Sequence, residues 1–459
     1  MAGHDPSSTH ILITGAGLAG SLLACSLGRK GYRVSVYERR PDPRAQGFIG
    51  GRSINLAMST RGITALQEVD LAERVLDQAI PMHGRMMHGL DSELTFQPYS
   101  SNPEEAINSV SRSDLNLTLI DAADAHENIT LHFDRRCVSV DLDQPMAVFE
   151  SSDRGMFEEV KPDLIIGTDG AFSAVRAQMQ KTDRFNYSQH YLEHGYKELT
   201  IPPADQIPDF GGKDFDGFAL DPNALHIWPR GGYMMIALPN QDRTFTCTCF
   251  WPYRGKVSFE SIMTEHDVIP FFEKHFPDAV PLMPTLKQDY MKNPTSSLVT
   301  IRCFPWHHRD KVVILGDAAH AIVPFYGQGM NAAFEDCRIL SDLFDRYAPH
   351  WDIVLETFTM SRKHHADAIA DMAMENFIEM RDKVGSKRFL LKKKVEQLLH
   401  KLFPNTFVPL YNLISFSNVP YADARNRALG QERLLMVLAC AALGVIVLGV
   451  LFILVWLLS

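Results

Sequence analysis

The sequence lacks any pair of cysteines spaced as Cys-x-x-Cys, although its 459 residues include seven cysteines. This argues against a disulfide framework and against a zinc site, and it favours a reducing compartment. A basic excess is also missing, because the formal net charge is -10 and the isoelectric point is about 6.0. The sequence therefore predicts no metal site and no nucleic-acid partner. Residues 1–9, MAGHDPSST, lack the apolar run of a secretory signal, and we expect a polar N-terminal extension there.

Charged residues are absent from one long stretch, Leu434 to Leu458. At about 1.5 Å per residue, a helix over this stretch would cross a hydrocarbon layer of ~30 Å. A buried core helix would normally alternate apolar with polar positions, and nothing polar interrupts here. The stretch is preceded by three arginines, Arg425, Arg427 and Arg433. Because positive residues beside a membrane span stay on the cytosolic side, they favour a cytosolic position for the rest of the chain. We therefore expect a transmembrane helix over 434–458, acting as a tail anchor because only Ser459 follows it.

A glycine motif near the N-terminus predicts dinucleotide binding. GAGLAG, residues 15–20, follows the apolar strand ILIT and enters the helical run SLLACSLGRKG, after which the strand VSVY ends at Glu38. Gly15 would make the tight turn, Gly17 would admit a pyrophosphate, and Gly20 would allow close packing of helix on strand. Glu38 would accept ribose hydroxyls and disfavours a 2′-phosphate, so NAD and FAD both remain possible at this site.

Two further motifs place an aspartate at the end of an apolar strand. The stretch 163–176, DLIIGTDGAFSAVR, carries Asp169, and the stretch 312–335, VVILGDAAHAIVPFYGQGMNAAFE, carries Asp317 before a glycine-rich helix start. Either aspartate alone could be an ordinary helix cap. Three such motifs, spread over about 300 residues of an α/β pattern, favour convergence on one long ligand, and hence FAD over NAD.

These motifs resemble the three signatures of the FAD-dependent aromatic hydroxylases. More narrowly, several other segments are similar to the kynurenine 3-monooxygenase family. They are GRSINLA (51–57), MHGRMMH (82–88), HIWPRGGYMMIALPN (226–240), PFYGQGMN (324–331), ENFIEMRD (375–382) and TFVPLYNL (406–413).

The resemblance implies a Rossmann-like α/β FAD-binding domain with an inserted mixed β-sheet substrate domain, a helical C-terminal region and the C-terminal transmembrane helix. We expect the FAD-binding parts at 10–75, 111–181 and 301–345, and the substrate-domain parts at 76–110 and 182–300. The helical region, 346–430, would close the substrate site.

The resemblance also implies the cofactor site. Its expected residues are Gly15, Gly17, Leu18, Ala19, Gly20, Glu38, Arg39, Arg112, Asp169, Asp317, Gly327, Gly329, Met330 and Asn331. The three glycines of the first motif and Glu38 would hold the ADP half of FAD, with Arg39 and Arg112 adding contacts. Asp317 would bind the ribityl chain. The backbone N–H groups of Met330 and Asn331 would face the flavin pyrimidine edge, where reduced flavin is negatively charged.

For the substrate, the resemblance implies that Arg85 and Tyr99 clamp the carboxylate of L-kynurenine, as a guanidinium and a phenol can do. The other expected pocket residues are Asn376, Met380 and Tyr411, with Pro324 and Phe325 near the ring. These positions are equally compatible with core packing. The family varies at Tyr326, to which no role is assigned.

The implied reaction is hydroxylation of L-kynurenine to 3-hydroxykynurenine, in tryptophan degradation by the kynurenine pathway. NADPH would dock transiently, because no second glycine motif is apparent, and would reduce FAD; O₂ would then give a C4a-hydroperoxyflavin that transfers oxygen. No protein residue is assigned a certain catalytic role, and His320 is expected to be structural. The family suggests the mitochondrial outer membrane, while the anchor alone equally fits the endoplasmic reticulum.

Two alternatives stay open, as does the oligomeric state. The first is a membrane-associated flavin hydroxylase or epoxidase acting on a quinone precursor or a lipid; Arg85 and Tyr99 argue against it. The second is a binding protein that keeps the flavoprotein fold but not its flavin. The intact Gly15, Asp169 and Asp317 argue against the second.

Overall fold

The structure is a computed structural model that describes residues 4–46, 55–151, 155–383, 395–396, 398–403 and 406–458. The strands are β1 His10–Thr14, β2 Arg33–Tyr37, β3 Leu56–Met58, β4 Ile80–Met82, β5 Gly84–His88, β6 Leu94–Pro98, β7 Ile107–Val110, β8 Ile129–His132, β9 Arg135–Asp141, β10 Met146–Ser151, β11 Phe157–Val160, β12 Leu164–Gly167, β13 Asn186–Ile201, β14 Ala224–Pro229, β15 Met234–Pro239, β16 Phe245–Pro252, β17 Ser296–Phe304, β18 His307–His308 and β19 Val312–Ile314.

The helices that precede residue 380 are α1 Leu18–Arg29, α2 Pro43–Gln46, α3 Thr60–Gln67, α4 Ala72–Leu76, α5 Arg112–Asp124, α6 Ala174–Met179, α7 Glu265–His275, α8 Leu286–Lys292, α9 Asp317–His320, α10 Gly329–Tyr347 and α11 Trp351–Ile378. A π-helical turn, Glu379–Lys383, then extends α11. Further along the described part of the chain lie the helix Leu410–Ser415 and the C-terminal helix Tyr421–Leu458.

A six-stranded sheet in the order β18-β19-β12-β1-β2-β8 forms the first layer. Its strands are parallel except β18, and the central strands β19, β12 and β1 are mostly apolar because both sheet faces are covered. Helix α1 packs against α5 and α10. This order brings the C-terminal ends of β1, β12 and β19 side by side at one edge, where ligands of such sheets bind.

A seven-stranded sheet in the order β17-β13-β16-β15-β14-β5-β6 forms the second layer. It is antiparallel except where β14 runs parallel to β5. One face, with Trp228 and Trp251, packs under α7 and α8. The other face, with Ile227, Met234 and Phe250, packs against α11 and the turn Pro324–Tyr326. Two three-stranded sheets, β11-β10-β9 and β3-β7-β4, complete the architecture.

The expected combination of an FAD-binding α/β layer with a mixed substrate sheet is confirmed at the level of fold. The strands predicted from ILIT and VSVY are both present. The segment 51–54, part of the GRSINLA similarity, lies outside the described residues.

The expected transmembrane segment, 434–458, is part of the C-terminal helix, but most of its side chains lie outside the described residues. Within the described part of the chain, no helix combines the length and the apolar character that a membrane crossing requires.

Candidate active site

The glycine corner, residues 15–20 together with Glu38, joins β1, α1 and β2. Gly15 has a φ of +97° and donates its N–H to the Tyr37 carbonyl at 2.7 Å. A Cβ on Gly20 would stand 1.9 Å from the Gly15 carbonyl oxygen, so only glycine lets α1 approach the strand this closely. A Cβ on Gly17 would meet nothing within 4 Å. The protein itself therefore requires Gly15 and Gly20, whereas Gly17 borders open space that an approaching ligand can use.

The Glu38 carboxylate faces this turn from the end of β2. Its Oε2 accepts the Ala16 N–H at 2.9 Å, and its Oε1 accepts the Arg40 N–H at 3.0 Å. Each carboxylate oxygen keeps a second lone pair for a ribose hydroxyl. Leu18 and Ala19 form the first turn of α1 beside it.

The two arginines expected to add cofactor contacts are both exposed. Arg39 follows Glu38 directly. Arg112 is the first residue of α5, and it lies close enough to Tyr196 of the substrate sheet to oppose the rise that burial causes in the pKa of that phenol. The structure therefore places Arg112 towards the second layer.

Asp169 follows β12 and lies against the glycine corner, since a Cβ on Gly15 would be 3.0 Å from the Asp169 Cα. Its Oδ2 accepts the N–H groups of Ala174 and Val175 at 2.6 and 3.3 Å. Its Oδ1 is buried without a hydrogen-bond partner, and burial raises the pKa of the carboxyl. Half of the carboxylate thus caps α6, and the other oxygen remains available to a ligand.

The Asp317 corner, Gly316 with Asp317, follows β19. Gly316 adopts φ +58° and ψ −143°, a conformation that only glycine tolerates. A Cβ there would stand 3.3 Å from the Ala333 Cβ and 3.6 Å from the Ala19 Cβ. The turn is therefore wedged between the first turns of α10 and α1, and it leaves the Asp317 side chain exposed.

The first turn of α10 consists of Gly329, Met330 and Asn331. The Asn331 side chain is fully buried; its Oδ1 accepts the Ser59 N–H at 2.9 Å, and its Nδ2 donates to the carbonyls of Ala57 and Gly327 at 2.9 and 2.8 Å. Gly327 is left-handed, with φ +65°. These bonds fix the direction of the helix N-terminus, whose backbone N–H groups carry partial positive charge.

Arg85 on β5 lies within a cluster of tyrosines. Its Cζ is 5.0 Å from the ring centroid of Tyr411 and 5.7 Å from that of Tyr99. Tyr411 stacks on Tyr99 at 4.9 Å and on Tyr326 at 5.8 Å between centroids. The Arg85 Nε is buried and has no hydrogen-bond partner. The cluster thus offers a planar cationic donor with several phenols around it, which suits a carboxylate.

The electrostatics keep these donors in the forms that bind an anion. Burial alone would lower the pKa of Arg85, but Tyr411, Tyr99 and the Glu379 carboxylate outweigh it and raise the pKa. Burial raises the pKa of Tyr99 and of Tyr326. Near neutral pH the guanidinium therefore stays charged and the phenols stay neutral donors.

The remaining expected pocket residues form the adjoining wall. Asn376 on α11 donates to the Phe325 carbonyl at 2.6 Å and to the Met380 sulfur at 3.3 Å. Phe325 stacks on Phe377 at 4.1 Å, and Pro324 is exposed at the start of the same turn. This turn, Pro324–Tyr326, leads through Gly327 directly into α10. The residues expected to form the substrate site therefore meet one another and adjoin the helix N-terminus.

Comparison with known proteins identifies the family. A family model for an FAD binding domain matches residues 8–373. Kynurenine 3-monooxygenase of Dictyostelium discoideum is 48% identical, over 93% of this chain and 92% of that protein. The protein of the same name from Anopheles gambiae is 46% identical, over 94% of this chain and 86% of that protein. This chain belongs to the kynurenine 3-monooxygenase family.

A solved structure of 2-methyl-3-hydroxypyridine-5-carboxylic acid oxygenase, in its tetrameric form, shares the fold. It superposes with a TM-score of 0.65 over 83% of this chain and 95% of that chain, at 17% identity. Membership of the kynurenine 3-monooxygenase family makes this chain an FAD-binding monooxygenase. The three corners fit that cofactor: Gly17 borders open space, the Asp169 Oδ1 is an acceptor without a partner, and Asp317 is exposed beside the first turn of α10.

Several residues near the site were missed by sequence reasoning. Tyr326 was set aside, and Glu379 was not considered, yet both belong to the electrostatic surroundings of Arg85. A buried group of charges behind α10 was missed as a group; it joins Arg61, Glu335, Asp336 and Arg362 to His320, which was expected to be structural. The available signal was the pair Glu335-Asp336, two acids inside an apolar helical run that must find cations if buried.

Proposed function

We propose that this chain hydroxylates L-kynurenine to 3-hydroxykynurenine, with FAD as its resident cofactor and with NADPH and O₂ as co-substrates. The names of its relatives support the substrate. The observation that carries the proposal is the buried, unpartnered Nε of Arg85, set among phenols beside the turn that leads into α10. A lipid or a quinone precursor that carries no carboxylate would not need such a clamp.

On this proposal, the corners hold FAD and the bound cofactor supplies the redox and oxygen chemistry. Glu38 would accept ribose hydroxyls at the ADP end, Asp169 would lie between the two halves, and Asp317 would accept ribityl hydroxyls. The first turn of α10 would stabilise negative charge on the ring through the backbone N–H groups of Met330 and Asn331.

The substrate would bind between the two layers. Arg85 would hold the carboxylate, with Tyr99 and Tyr411 donating to it. Glu379 lies near enough to influence Arg85 and would complement the ammonium group of an amino acid. The aromatic ring would be positioned and shielded from water by a group of four residues, Asn376, Met380, Phe325 and Pro324.

The enzymatic test uses purified full-length protein. We expect a flavin absorption band, together with 3-hydroxykynurenine formation that depends on both NADPH and kynurenine. Measuring the product, and not only NADPH loss, separates hydroxylation from unproductive oxidation. Colourless protein that stays empty after reconstitution with FAD would instead indicate a binding protein. Bound flavin without this product would show that kynurenine is not the substrate.

We also propose that residues 434–458 anchor the chain in a membrane, with the mitochondrial outer membrane suggested by the family. Support comes from the complete lack of charge in this stretch and from the three arginines before it. Arg425 pairs with Asp371 and Glu375 of α11 at 3.1 and 2.5 Å, which ties the base of the helix to the substrate-site region.

Flotation with liposomes and localisation in cells test the anchor. Leu448→Lys should reduce flotation, because a central lysine opposes insertion by roughly 2.5–3.5 kcal/mol. Gln431→Lys, placed before the stretch, is the matched control and should float as the wild type does. Equal flotation of both variants would show that residues 434–458 do not anchor the chain. Localisation of the wild-type chain to the endoplasmic reticulum would show that the membrane is not the mitochondrial outer membrane.

A further inference from the structure

A buried charge cluster lies behind the flavin-facing turn of α10. Its members come from four helices and are Arg61 (α3), His320 (α9), Glu335 and Asp336 (α10) and Arg362 (α11). None is more than 4% exposed. Ions buried this deeply are retained only where partners satisfy them, so the arrangement of the partners shows what the cluster holds in place.

The two acids share one arginine. Arg362 donates through Nε to the Asp336 Oδ1 at 2.7 Å and through a terminal nitrogen to the Glu335 Oε2 at 2.7 Å. Burial alone would raise the pKa of Asp336, but the charges of His320 and Arg362 lower it instead. The pKa of Glu335 is lowered in the same way by Arg362 and Arg61. Both acids are therefore carboxylates near neutral pH.

The other partners of the two acids differ. The Asp336 Oδ2 accepts the Gly316 N–H at 3.1 Å and lies 2.5 Å from the His320 Nε2. Gly316 and His320 are the two ends of the short segment that contains Asp317, and the His320 N–H closes it on the Gly316 carbonyl at 2.8 Å. Asp336 thus contacts both ends of the Asp317 corner through one carboxylate oxygen.

Glu335 contacts a different part of the molecule. Its Oε1 is 2.5 Å from Arg61, whose other terminal nitrogen donates to the Val419 carbonyl before the C-terminal helix. The Arg61 guanidinium also lies 4.0 Å from the centre of the Tyr421 ring. Glu335 therefore connects α3 and the C-terminal helix to α10 through Arg61, and its ion-pair partners, Arg61 and Arg362, lie outside the Asp317 corner.

We propose that Asp336, with Arg362 as its counter-ion, is a positioning residue that orients the Asp317 corner towards the ribityl chain of bound FAD. It acts through Gly316 and His320 and touches neither cofactor nor substrate. Since it sits on the same helix whose first turn faces the flavin, Asp336 fixes the distance between that turn and the Asp317 carboxylate. The inference rests on FAD binding and does not depend on which aromatic substrate is hydroxylated.

Asp336→Asn tests the inference, with Glu335→Gln as the matched control. Each change neutralises one of two neighbouring buried acids that share Arg362, so both should lower the unfolding temperature. The new amide of Asp336→Asn must direct its N–H group either towards Gly316 and His320 or towards Arg362, so the residue loses its bonds to the corner or its bond to the counter-ion. We expect Asp336→Asn to weaken FAD affinity at least tenfold and to change the visible circular dichroism and midpoint potential of the bound flavin. Glu335→Gln should leave these three flavin properties unchanged.

His320→Gln is the second variant, should Asp336→Asn fail to fold. It removes the contact between His320 and Asp336, one of the two contacts that Asp336 makes with the corner. It should change flavin affinity and dichroism in the same direction as Asp336→Asn does. The inference is overturned if these variants bind FAD with wild-type affinity, potential and dichroism, or if Glu335→Gln alters the flavin as strongly as they do. None of these readouts requires kynurenine turnover, so failure of the proposed substrate would leave the result interpretable.

Discussion

At the scale of single residues, the site is marked by buried polar atoms that the protein leaves without partners. The Asp169 Oδ1 and the Arg85 Nε are two such atoms. Leaving a buried donor or acceptor unsatisfied costs roughly 1–3 kcal/mol, more for charged groups, and a ligand can recover that free energy. Both atoms lie where sequence motifs had placed cofactor and substrate contacts.

Arg85→Lys should lower kcat/KM for kynurenine by about 10- to 100-fold, because a hydrogen bond to a charged group contributes roughly 1.5–3 kcal/mol. Lysine keeps the charge but loses the planar fork. FAD content should be unchanged. Arg254→Lys, at an exposed position, is the control. Steady-state product formation checks the prediction, and equal kinetics for the two variants would contradict it.

His226→Gln should make the stability of the protein less sensitive to acid. Burial, together with His88, lowers the pKa of His226 from 6.5 to about 3. The unfolded chain therefore takes up a proton first as the pH falls below 6.5, and the folded state loses stability progressively until about pH 3.

At about 1.36 kcal/mol per pH unit, this loss amounts to about 2.7 kcal/mol near pH 4.5. Chemical denaturation near pH 7.5 and near pH 4.5 measures it. His266→Gln, at an exposed position, should retain the wild-type pH dependence. If His226→Gln retained it too, another group would be responsible for the acid sensitivity.

The limits of sequence reasoning are clearest for the charged residues. Asp317 could be named because a strand-end motif contains it, and Arg85 because the resemblance to the family implies its role. Arg61 and Arg362 could not, because their importance comes from contacts with Glu335, which lies 274 and 27 residues away in the chain. Tyr326 was set aside on family variation, although its position beside Tyr411 is plain once the fold is known.

At the scale of elements, the cofactor site is a junction of strand ends and helix starts. Local patterning predicted this part well: ILIT became His10–Thr14 and VSVY became Arg33–Tyr37. Local patterning could not predict which distant segments pair with each other. The parallel alignment of β5 with β14, which positions Arg85, joins residues about 140 apart and has no signature in either segment.

Gly20→Ala and Gly17→Ala should separate the two uses of glycine in the first corner. The Gly20 Cβ would collide with backbone at 1.9 Å, so this variant should lose stability by about 1–3 kcal/mol or more and bind FAD poorly. The Gly17 Cβ meets nothing within 4 Å, so that variant should fold normally yet bind FAD more weakly.

Thermal unfolding without FAD and titration with FAD measure the two effects separately. Wild-type FAD affinity in Gly17→Ala would show that no ligand approaches that position. Wild-type stability in Gly20→Ala would show that α1 can shift without consequence.

At the scale of the whole molecule, three corners separated by about 300 residues face one site, so the cofactor should tie together segments that the chain order keeps apart. Any ligand that binds only the folded state stabilises it, by about 2.7 kcal/mol at a hundredfold excess over Kd. A ligand that spans all three corners should do so cooperatively.

FAD should therefore raise the unfolding temperature of the apoprotein more than AMP and riboflavin do when added together. On the proposed placement of FAD, AMP would reach only the glycine corner, and riboflavin only the Asp317 corner and α10. Differential scanning fluorimetry at matched multiples of Kd checks this expectation. If the fragments together matched FAD, the corners would be acting as independent sites.

The wide spacing of the corners also sets an order of events on the ribosome. The emerging polypeptide completes the glycine corner early, but Asp317 and α10 follow much later, and Arg362, the partner of Asp336, later still. A nascent chain can therefore hold at most the adenine end of the cofactor for most of its synthesis. Full capture of the flavin must await translation of the last quarter of the protein.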